Sequence, residues 1–271
     1  DRAVLGWGAG GLAVGSALFG AGCDPEATPL EVVVDPVDED CIVSDVRSFE
    51  VFFVIDVSQS LAVGNVLDLV QDELIDFAQS FPEFDVNENR VFVDYYVVGF
   101  VNDVAFFPRG SPRMTSPIAV AEALQQAEDA GDDNSNLNSD TQNSDLGFQE
   151  NFLDAMGAVF DRMGAADRTL IIGATDEDFV DQGDTLTPNI VVQTAYADVA
   201  RTLAENDDVS LFMFTPGDIE GIDRNFRGQP PLTLDDQFDL TRLGDAGNSI
   251  GRILAELVVD TACRPPSEAA Q

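Results

Sequence analysis

The chain has 271 residues and carries 50 acidic against 13 basic side chains, a formal net charge of -37 at pH 7. A surface of this kind repels nucleic acids and anionic membranes, which excludes both as electrostatic partners. All 13 basic residues are arginines. The sequence therefore lacks histidine, the commonest general base and metal ligand, and lysine, on which Schiff-base and P-loop chemistry depends.

The same charge predicts the conditions in which the protein works. At low ionic strength an acidic surface repels itself and destabilises the compact state, whereas salt screens the repulsion. We therefore expect a halophilic protein that is adapted to high salt. Hydrophobic residues make up 45% of the chain, enough to build the core of one large α/β domain.

The chain begins with an apolar segment, because residues 3–22 carry no charge and are rich in Gly, Ala, Leu and Val. Residues 19–23 resemble the lipobox of a bacterial lipoprotein, although Gly20 stands where leucine is usual. In the favoured interpretation residues 1–22 are a signal peptide that is cleaved, and Cys23 carries a lipid. In the alternative the segment is retained as a membrane-spanning or partner-packing helix, since ~20 apolar residues suffice to cross a bilayer.

The remaining boundaries follow from composition. Residues 23–40 are acidic and contain three prolines, which predicts an extended tether. Residues 41–263 are predicted to form the domain, and residues 264–271 a C-terminal tail.

Within the domain, buried strands alternate with amphipathic helices. Strands are predicted at residues 45–56, 90–102, 168–174 and 209–214, with 104–107 as the hairpin partner of the second. Helices are predicted at residues 61–81, 116–130, 146–163, 190–206, 235–243 and within 249–263, and a solvated loop at 129–145. This alternation predicts a doubly wound α/β fold, a mostly parallel sheet with one antiparallel edge strand and helices on both faces.

A carboxylate and two hydroxyls, those of Asp56, Ser58 and Ser60, follow the first buried strand. The carboxyl edge of an open α/β sheet is where ligands bind, so these groups lie where a site is expected. Oxygen ligands suit a hard cation, with Mg²⁺ preferred here and Ca²⁺ or Mn²⁺ as alternatives. The competing interpretation is that Asp56 and Ser58 only cap the helix that follows.

Asp-x-Ser-x-Ser in this setting resembles the metal-ion-dependent adhesion site (MIDAS) of von Willebrand factor type A (vWA) domains. The resemblance extends to Thr175-Asp176, which directly follows another buried strand. It implies a vWA fold, in which Ser58 and Ser60 would contact the metal while Asp56 and Asp176 would act directly or through water.

The second loop of the site departs from the family pattern, in which a threonine stands about five residues before an Ala-Leu pair. Here Glu150 takes that position before Ala155, and the loop is similar to that of secreted vWA proteins from Gram-negative bacteria. Glu150 is the candidate ligand, with Thr141, Ser144 and Gln149 as alternatives. A carboxylate here should raise cation affinity and weaken the pull of the metal on a partner's carboxylate. Alternatively, Glu150 is a first-turn charge favoured by a helix dipole.

The cysteines also match the resemblance, which covers roughly residues 41–263. In the fold it implies, Cys41 and Cys263 are neighbours, so we expect them to form a disulfide in an oxidising compartment. Cys23 is then the odd cysteine, left for the lipid. These features predict an extracytoplasmic protein of the outer membrane, cell surface or periplasm, anchored by lipid or by its N-terminal segment.

The resemblance implies a non-enzymatic adhesion module that uses the metal to hold a protein partner through an acidic residue of that partner. The alternative is a structural subunit of a surface or envelope assembly, with a degenerate metal site and an apolar segment packed against other subunits. A metal-assisted hydrolase with Asp178 or Glu177 as base is disfavoured, because no histidine or evident nucleophile is present. A vWA fold alone implies no chemistry.

Overall fold

The computed structural model describes the greater part of the predicted domain. It covers residues 48–62, 66–81, 83, 90–132, 137, 149–187, 190–243, 250–252 and 254–255. The predictions for the apolar segment, the tether, lipidation at Cys23 and the Cys41–Cys263 disulfide lie outside these residues. None of the helices within the described ranges is both long enough and apolar enough to cross a membrane.

Ten strands are present in the described residues. They are β1 Ser48–Asp56, β2 Phe92–Phe100, β3 Val104–Phe107, β4 Gln149–Glu150, β5 Arg168–Ala174, β6 Asp178–Phe179, β7 Thr185–Thr187, β8 Ile190–Val191, β9 Val209–Thr215 and β10 Asp236–Asp239. Six of them form the main sheet, in the order β10-β9-β5-β1-β2-β3. All neighbours in this sheet are parallel except the edge strand β3, which is antiparallel to β2. The predicted fold class is confirmed.

Helices cover both faces of the sheet. They are α1 Gln59–Ala62, α2 Val66–Ser80, α3 Pro117–Asp132, α4 Phe152–Arg162 and α5 Tyr196–Glu205, and a 3-10 turn follows at Leu240–Arg242. Helices α2 and α3 pack on one face of the sheet, and α4 and α5 on the other. The sheet is therefore buried on both sides, which explains why its central strands have almost no polar residues.

The central strand β1 shows how the sequence divides between the two cores. Val51, Phe53 and Ile55 belong to the α2/α3 core, whereas Phe52 and Val54 belong to the α4/α5 core. Successive side chains of a strand point to opposite faces, so a strand buried on both sides is apolar at every position. All five side chains are at most 1% exposed.

Two helices begin later than predicted. Residues 149–150 form strand β4 and pair with β6, so α4 begins only at Phe152. Residues 190–191 form strand β8, and α5 begins only at Tyr196. Both short strands pair with other loop segments rather than with the main sheet, a tertiary contact that local periodicity does not carry.

Residues 236–239 were predicted to be helical but form strand β10, which extends the sheet beside β9. Its Phe238 ring packs against Phe214 of β9, with ring centroids 5.2 Å apart. This packing overrides the weak strand preference of the acidic residues around Phe238.

The predicted solvated loop at 129–145 is wrong at its start, because α3 continues to Asp132. Ala130 is buried, and Gly131 lies so close to the chain leaving β1 that a Cβ at this position would overlap the carbonyl oxygen of Val57. Leu137, farther along the same run, is also buried.

Candidate metal centre

The site is built where β1 and β5 end, side by side. The two strands are parallel neighbours, and Ile55 pairs with Ala174. The next residues, Asp56 and Thr175, therefore leave the sheet at the same level. Both are completely buried.

Asp56 holds the two loops together. Its Oδ1 accepts a hydrogen bond from the backbone N–H of Ser58 at 2.8 Å, and its Oδ2 accepts one from Thr175 Oγ1 at 3.1 Å. The first contact is the kind of turn expected from a cap, and the second reaches a loop 119 residues away. Asp56 therefore does more than cap the helix that follows, because it also binds the loop after β5.

The two serines continue the same network. Ser58 Oγ and Ser60 Oγ lie 2.7 Å apart, within hydrogen-bonding distance, and Ser60 Oγ donates to Asp176 Oδ1 at 3.1 Å. Four residues predicted for the site, Asp56, Ser58, Ser60 and Asp176, are therefore joined through direct hydrogen bonds and Thr175. These hydroxyl and carboxylate oxygens are the ligand types that hard cations prefer.

Glu150 comes to the site from β4, which pairs with β6 just beyond the Asp176 loop. Its Oε2 atom is buried, and no described residue donates a hydrogen bond to it. Burial, followed by the charges of Asp56, Glu177 and Asp176, raises the pKa of Glu150 to about 10. Because Glu150 precedes α4 and lies in a strand, the interpretation as a first-turn helix charge does not hold.

The pKa values of the other carboxyl groups of the site are also raised. Burial, and then the charge of Asp176, raises the pKa of Asp56 to about 7. Burial, and then the charges of Asp176 and Asp56, raises the pKa of Glu177 to about 8, and burial also raises the pKa of Asp176. Repulsion among carboxylates without an opposing charge is the condition that a bound cation relieves.

A bound cation would need the serine hydroxyls as ligands. In the described part of the chain, no three carboxylate, thiol or imidazole groups are gathered closely enough to hold a metal by themselves. The oxygens of Ser58 and Ser60 would therefore have to complete the ligand set. With that contribution, the unpartnered Oε2 of Glu150 and the oxygen-only donors fit a divalent cation.

Of the alternatives to Glu150, Thr141 and Ser144 lie outside the described residues, and Gln149 lies beside Glu150 on β4. Glu177, which the sequence indicates only as a candidate catalytic base, also belongs to the acidic cluster. The signal was available, since Glu177 directly follows Asp176.

A second feature that the sequence did not indicate is Asn151. It is 2% exposed, and its Nδ2 donates to the Asn102 carbonyl at 3.0 Å and to Asp154 Oδ2 at 3.1 Å. Its backbone N–H donates to Val101 O at 2.9 Å. These bonds fix the residue that follows Glu150 to the end of β2, and so hold Glu150 at the site.

Asp178, the other candidate base, is already paired. Arg224 Nη2 donates to both of its carboxylate oxygens, at 3.2 Å and 3.0 Å. The carboxylate of Asp178 is therefore engaged with Arg224.

Comparison with known proteins gave structural likeness only. No family model matches the sequence, and no curated protein matches it. One similar structure is proximal thread matrix protein 1 from the mussel byssus with a zinc-occupied MIDAS motif (TM-score 0.44, 15% identity, covering 80% of this chain and 48% of that chain). Another is a von Willebrand factor type A protein from Catenulispora acidiphila (TM-score 0.44, 16% identity, covering 77% and 42%). A third is the conserved hypothetical protein BatB from Bacteroides thetaiotaomicron (TM-score 0.45, 14% identity, covering 80% and 100%).

The chain thus spans less than half of the mussel and Catenulispora structures that it resembles. At such low identities and TM-scores, the likeness says nothing about the activity of this chain.

Proposed function

We propose that this chain, whose domain is of the vWA type, is a non-enzymatic binding module that uses a divalent cation to hold a protein partner at the surface of the cell. The observation that supports the proposal most directly is the network joining Asp56, Ser58, Ser60 and Asp176, with Oε2 of Glu150 buried and without a hydrogen bond from any described residue. Three separate stretches of the chain supply these groups, and only the fold brings them together.

Each residue has a role that its position supports. The oxygens of Ser58 and Ser60 would bind the ion directly, because they lie together where the chain passes from β1 into α1. Asp176 would hold the Ser60 hydroxyl and Asp56 the backbone of Ser58, both would supply negative charge, and Glu150 would be the ligand from the second loop. Mg²⁺ is the ion we favour, and Ca²⁺ or Mn²⁺ would use the same oxygen ligands.

The bound ion would supply a positive centre at the sheet edge, where a partner can reach it. The described residues at this edge form polar loops around a rigid sheet, the arrangement in which binding sites are usually found. No base, nucleophile or leaving-group donor is required for such a role, which is why we propose binding rather than catalysis.

Isothermal titration calorimetry of the full chain with Mg²⁺, Mn²⁺ and Ca²⁺ in high salt tests the proposal. We expect one saturable site that is lost in Asp56→Ala. Because Asp56 is buried and bonded to two loops, Ser60→Ala is the second variant, since it removes a ligand without removing that support. Asp208→Ala removes an exposed acid just before the amino end of β9, away from the candidate site. It controls for loose binding of cations to the acidic surface.

Absence of a saturable site, or binding that is the same in all three variants, would refute the metal function. The alternative of a structural subunit with a degenerate site would then be the better account of this fold.

A further inference from the structure

The loop between β9 and β10, residues 216–235, is a well-packed part of the domain. Four of its apolar side chains are buried in the α4/α5 core, those of Ile219, Ile222, Phe226 and Leu232. The hydroxyl of Tyr196 in α5 lies 3.0 Å from the carbonyl oxygen of Gly221 and 2.8 Å from that of Pro230. Core packing and hydrogen bonds thus fix this loop to the fold, so it can support a neighbouring segment.

Polar contacts join the β9–β10 loop to β6. Asp178 of β6 accepts a hydrogen bond from the Glu220 backbone N–H at 2.6 Å, and Nη2 of Arg224 reaches both of its carboxylate oxygens. The side chains of Arg224 and Asp178 are 49% and 30% exposed, so water weakens their ion pair without abolishing it. Arg224 also contacts Asp218 within the loop itself, at 3.6 Å.

Apolar contacts at the next residue of β6 reinforce this connection. Phe179 is 1% exposed, and its ring centroid lies 6.5 Å from that of Phe226 in the loop and 4.5 Å from that of Phe152 in α4. Gly221 approaches the same ring so closely that a Cβ there would come within 2.9 Å of it. Strand β6 therefore lies between the loop and α4, with its position determined by both.

Strand β6 is in turn the partner of β4, which carries Glu150. The parallel register places Gln149 beside Asp178 and Glu150 beside Phe179. Two strands of two residues each have too few hydrogen bonds to hold their own position, so the placement of Glu150 depends on what holds β6. The bonds of Asn151 to the end of β2 secure the other side of β4.

We propose that the β9–β10 loop positions Glu150 for the cation, with Arg224 as the positioning residue that acts through Asp178 and β6. This inference rests on the ligand role of Glu150 proposed above and adds a fourth stretch of chain, one that supplies no ligand itself. A ligand that is already held in place loses less conformational freedom on binding than one that must be ordered. Loss of this support should therefore lower the affinity for a cation.

The sign of the effect separates positioning from a simple effect of charge. Arg224→Gln removes a positive charge beside the Asp176 loop, and long-range electrostatics alone would then make cation binding tighter. Loss of positioning makes it weaker. Arg201→Gln is the matched control, because it removes the same group from an exposed ion pair with Asp198 in α5 and changes the net charge equally.

Two measurements on the full chain in high salt test the proposal. Calorimetry gives the Mg²⁺ affinity at a temperature at which circular dichroism shows every variant to be folded, so a change in global stability alone does not alter it. Hydrogen exchange of the metal-free chain, followed by mass spectrometry, reports on the fragments that contain β4 and β6.

We expect Arg224→Gln to bind Mg²⁺ about threefold more weakly than wild type, the effect of losing one partly exposed ion pair, and to exchange faster in both fragments. Arg201→Gln should match wild type in both measurements. Unchanged or tighter Mg²⁺ binding by Arg224→Gln, unchanged exchange in the two fragments, or an equal loss of affinity in Arg201→Gln would overturn the inference.

The two proposals fail in different measurements. If the wild-type chain has no saturable Mg²⁺ site, the metal function fails, and the role of Arg224 toward the cation fails with it. If wild type binds Mg²⁺ and Ser60→Ala weakens that binding while Arg224→Gln does not, only the positioning role is overturned.

Discussion

Replacing Glu150 by glutamine should stabilise the metal-free protein at neutral and alkaline pH. The pKa of this buried carboxyl is raised from 4.5 to about 10, first by burial and then by neighbouring negative charges. Between these two values the folded state keeps a proton that the unfolded chain releases. The free energy of unfolding therefore falls as pH rises, by ~1.4 kcal/mol per pH unit for one such group.

The magnitude follows from the distance between the unfolded pKa and the working pH. At pH 8, about 3.5 pH units above the unfolded pKa, keeping the proton on Glu150 lowers the free energy of unfolding of the wild-type chain by at most ~5 kcal/mol. Glutamine has no such cost. Relaxation of the surroundings and the strong coupling to Asp56 and Glu177 reduce the effect, so we expect a gain on the order of 2–4 kcal/mol.

Urea denaturation of the full chain in high salt with a chelator, at pH 8 and at pH 5.5, measures this gain. The advantage of Glu150→Gln over wild type should shrink at the lower pH, because the wild-type cost falls to ~1.4 kcal/mol within one unit of the unfolded pKa. Adding Mg²⁺ should reverse the order of stability, since wild type binds the ion more tightly. A Glu150→Gln protein that is less stable than wild type at pH 8 without metal, while Glu205→Gln matches wild type, would refute the reasoning.

Three further predictions concern the same network and the surface. Ser60→Ala should weaken Mg²⁺ binding by roughly tenfold or more in calorimetry while changing the free energy of unfolding by less than ~1 kcal/mol; an unchanged affinity would remove Ser60 from the ligand set. Thr175→Val should cost about 1–3 kcal/mol in urea denaturation, because it leaves Oδ2 of the buried Asp56 without its hydrogen bond, and a neutral result would mean that this bond contributes nothing to stability. The melting temperature should rise between ~0.1 M and ~1 M NaCl as the Debye length falls from about 10 Å to about 3 Å, and a melting temperature that is highest at low salt contradicts the halophilic prediction.

The strands that carry the site could be predicted because they are apolar on both faces. The run from Val51 to Ile55 has no polar position, which is the pattern of a strand covered on both sides, and β5 shows the same pattern. Asp56 and Asp176 each stand at or just beyond the end of such a strand. Parallel strands then place these ends at one edge, so the main part of the site followed from chain order alone.

The remaining parts could not be predicted because long-range contacts determine them. Strand β4 has two residues and exists only through its pairing with β6, so no local pattern distinguishes it from the start of α4. Strand β10 is acidic and is held by packing of Phe238 on β9. That no described residue donates a hydrogen bond to Oε2 of Glu150 is likewise a fact about its surroundings, which its position in the sequence does not reveal.

The close approach of Gly131 to Val57 couples the position of the end of α3 to that of the loop that carries Ser58. With no room for a side chain between them, the loop cannot shift toward α3 without displacing the helix end. A displacement of the serines toward α3 would thus be transmitted to the last turn of this helix, at Gly131 and Asp132.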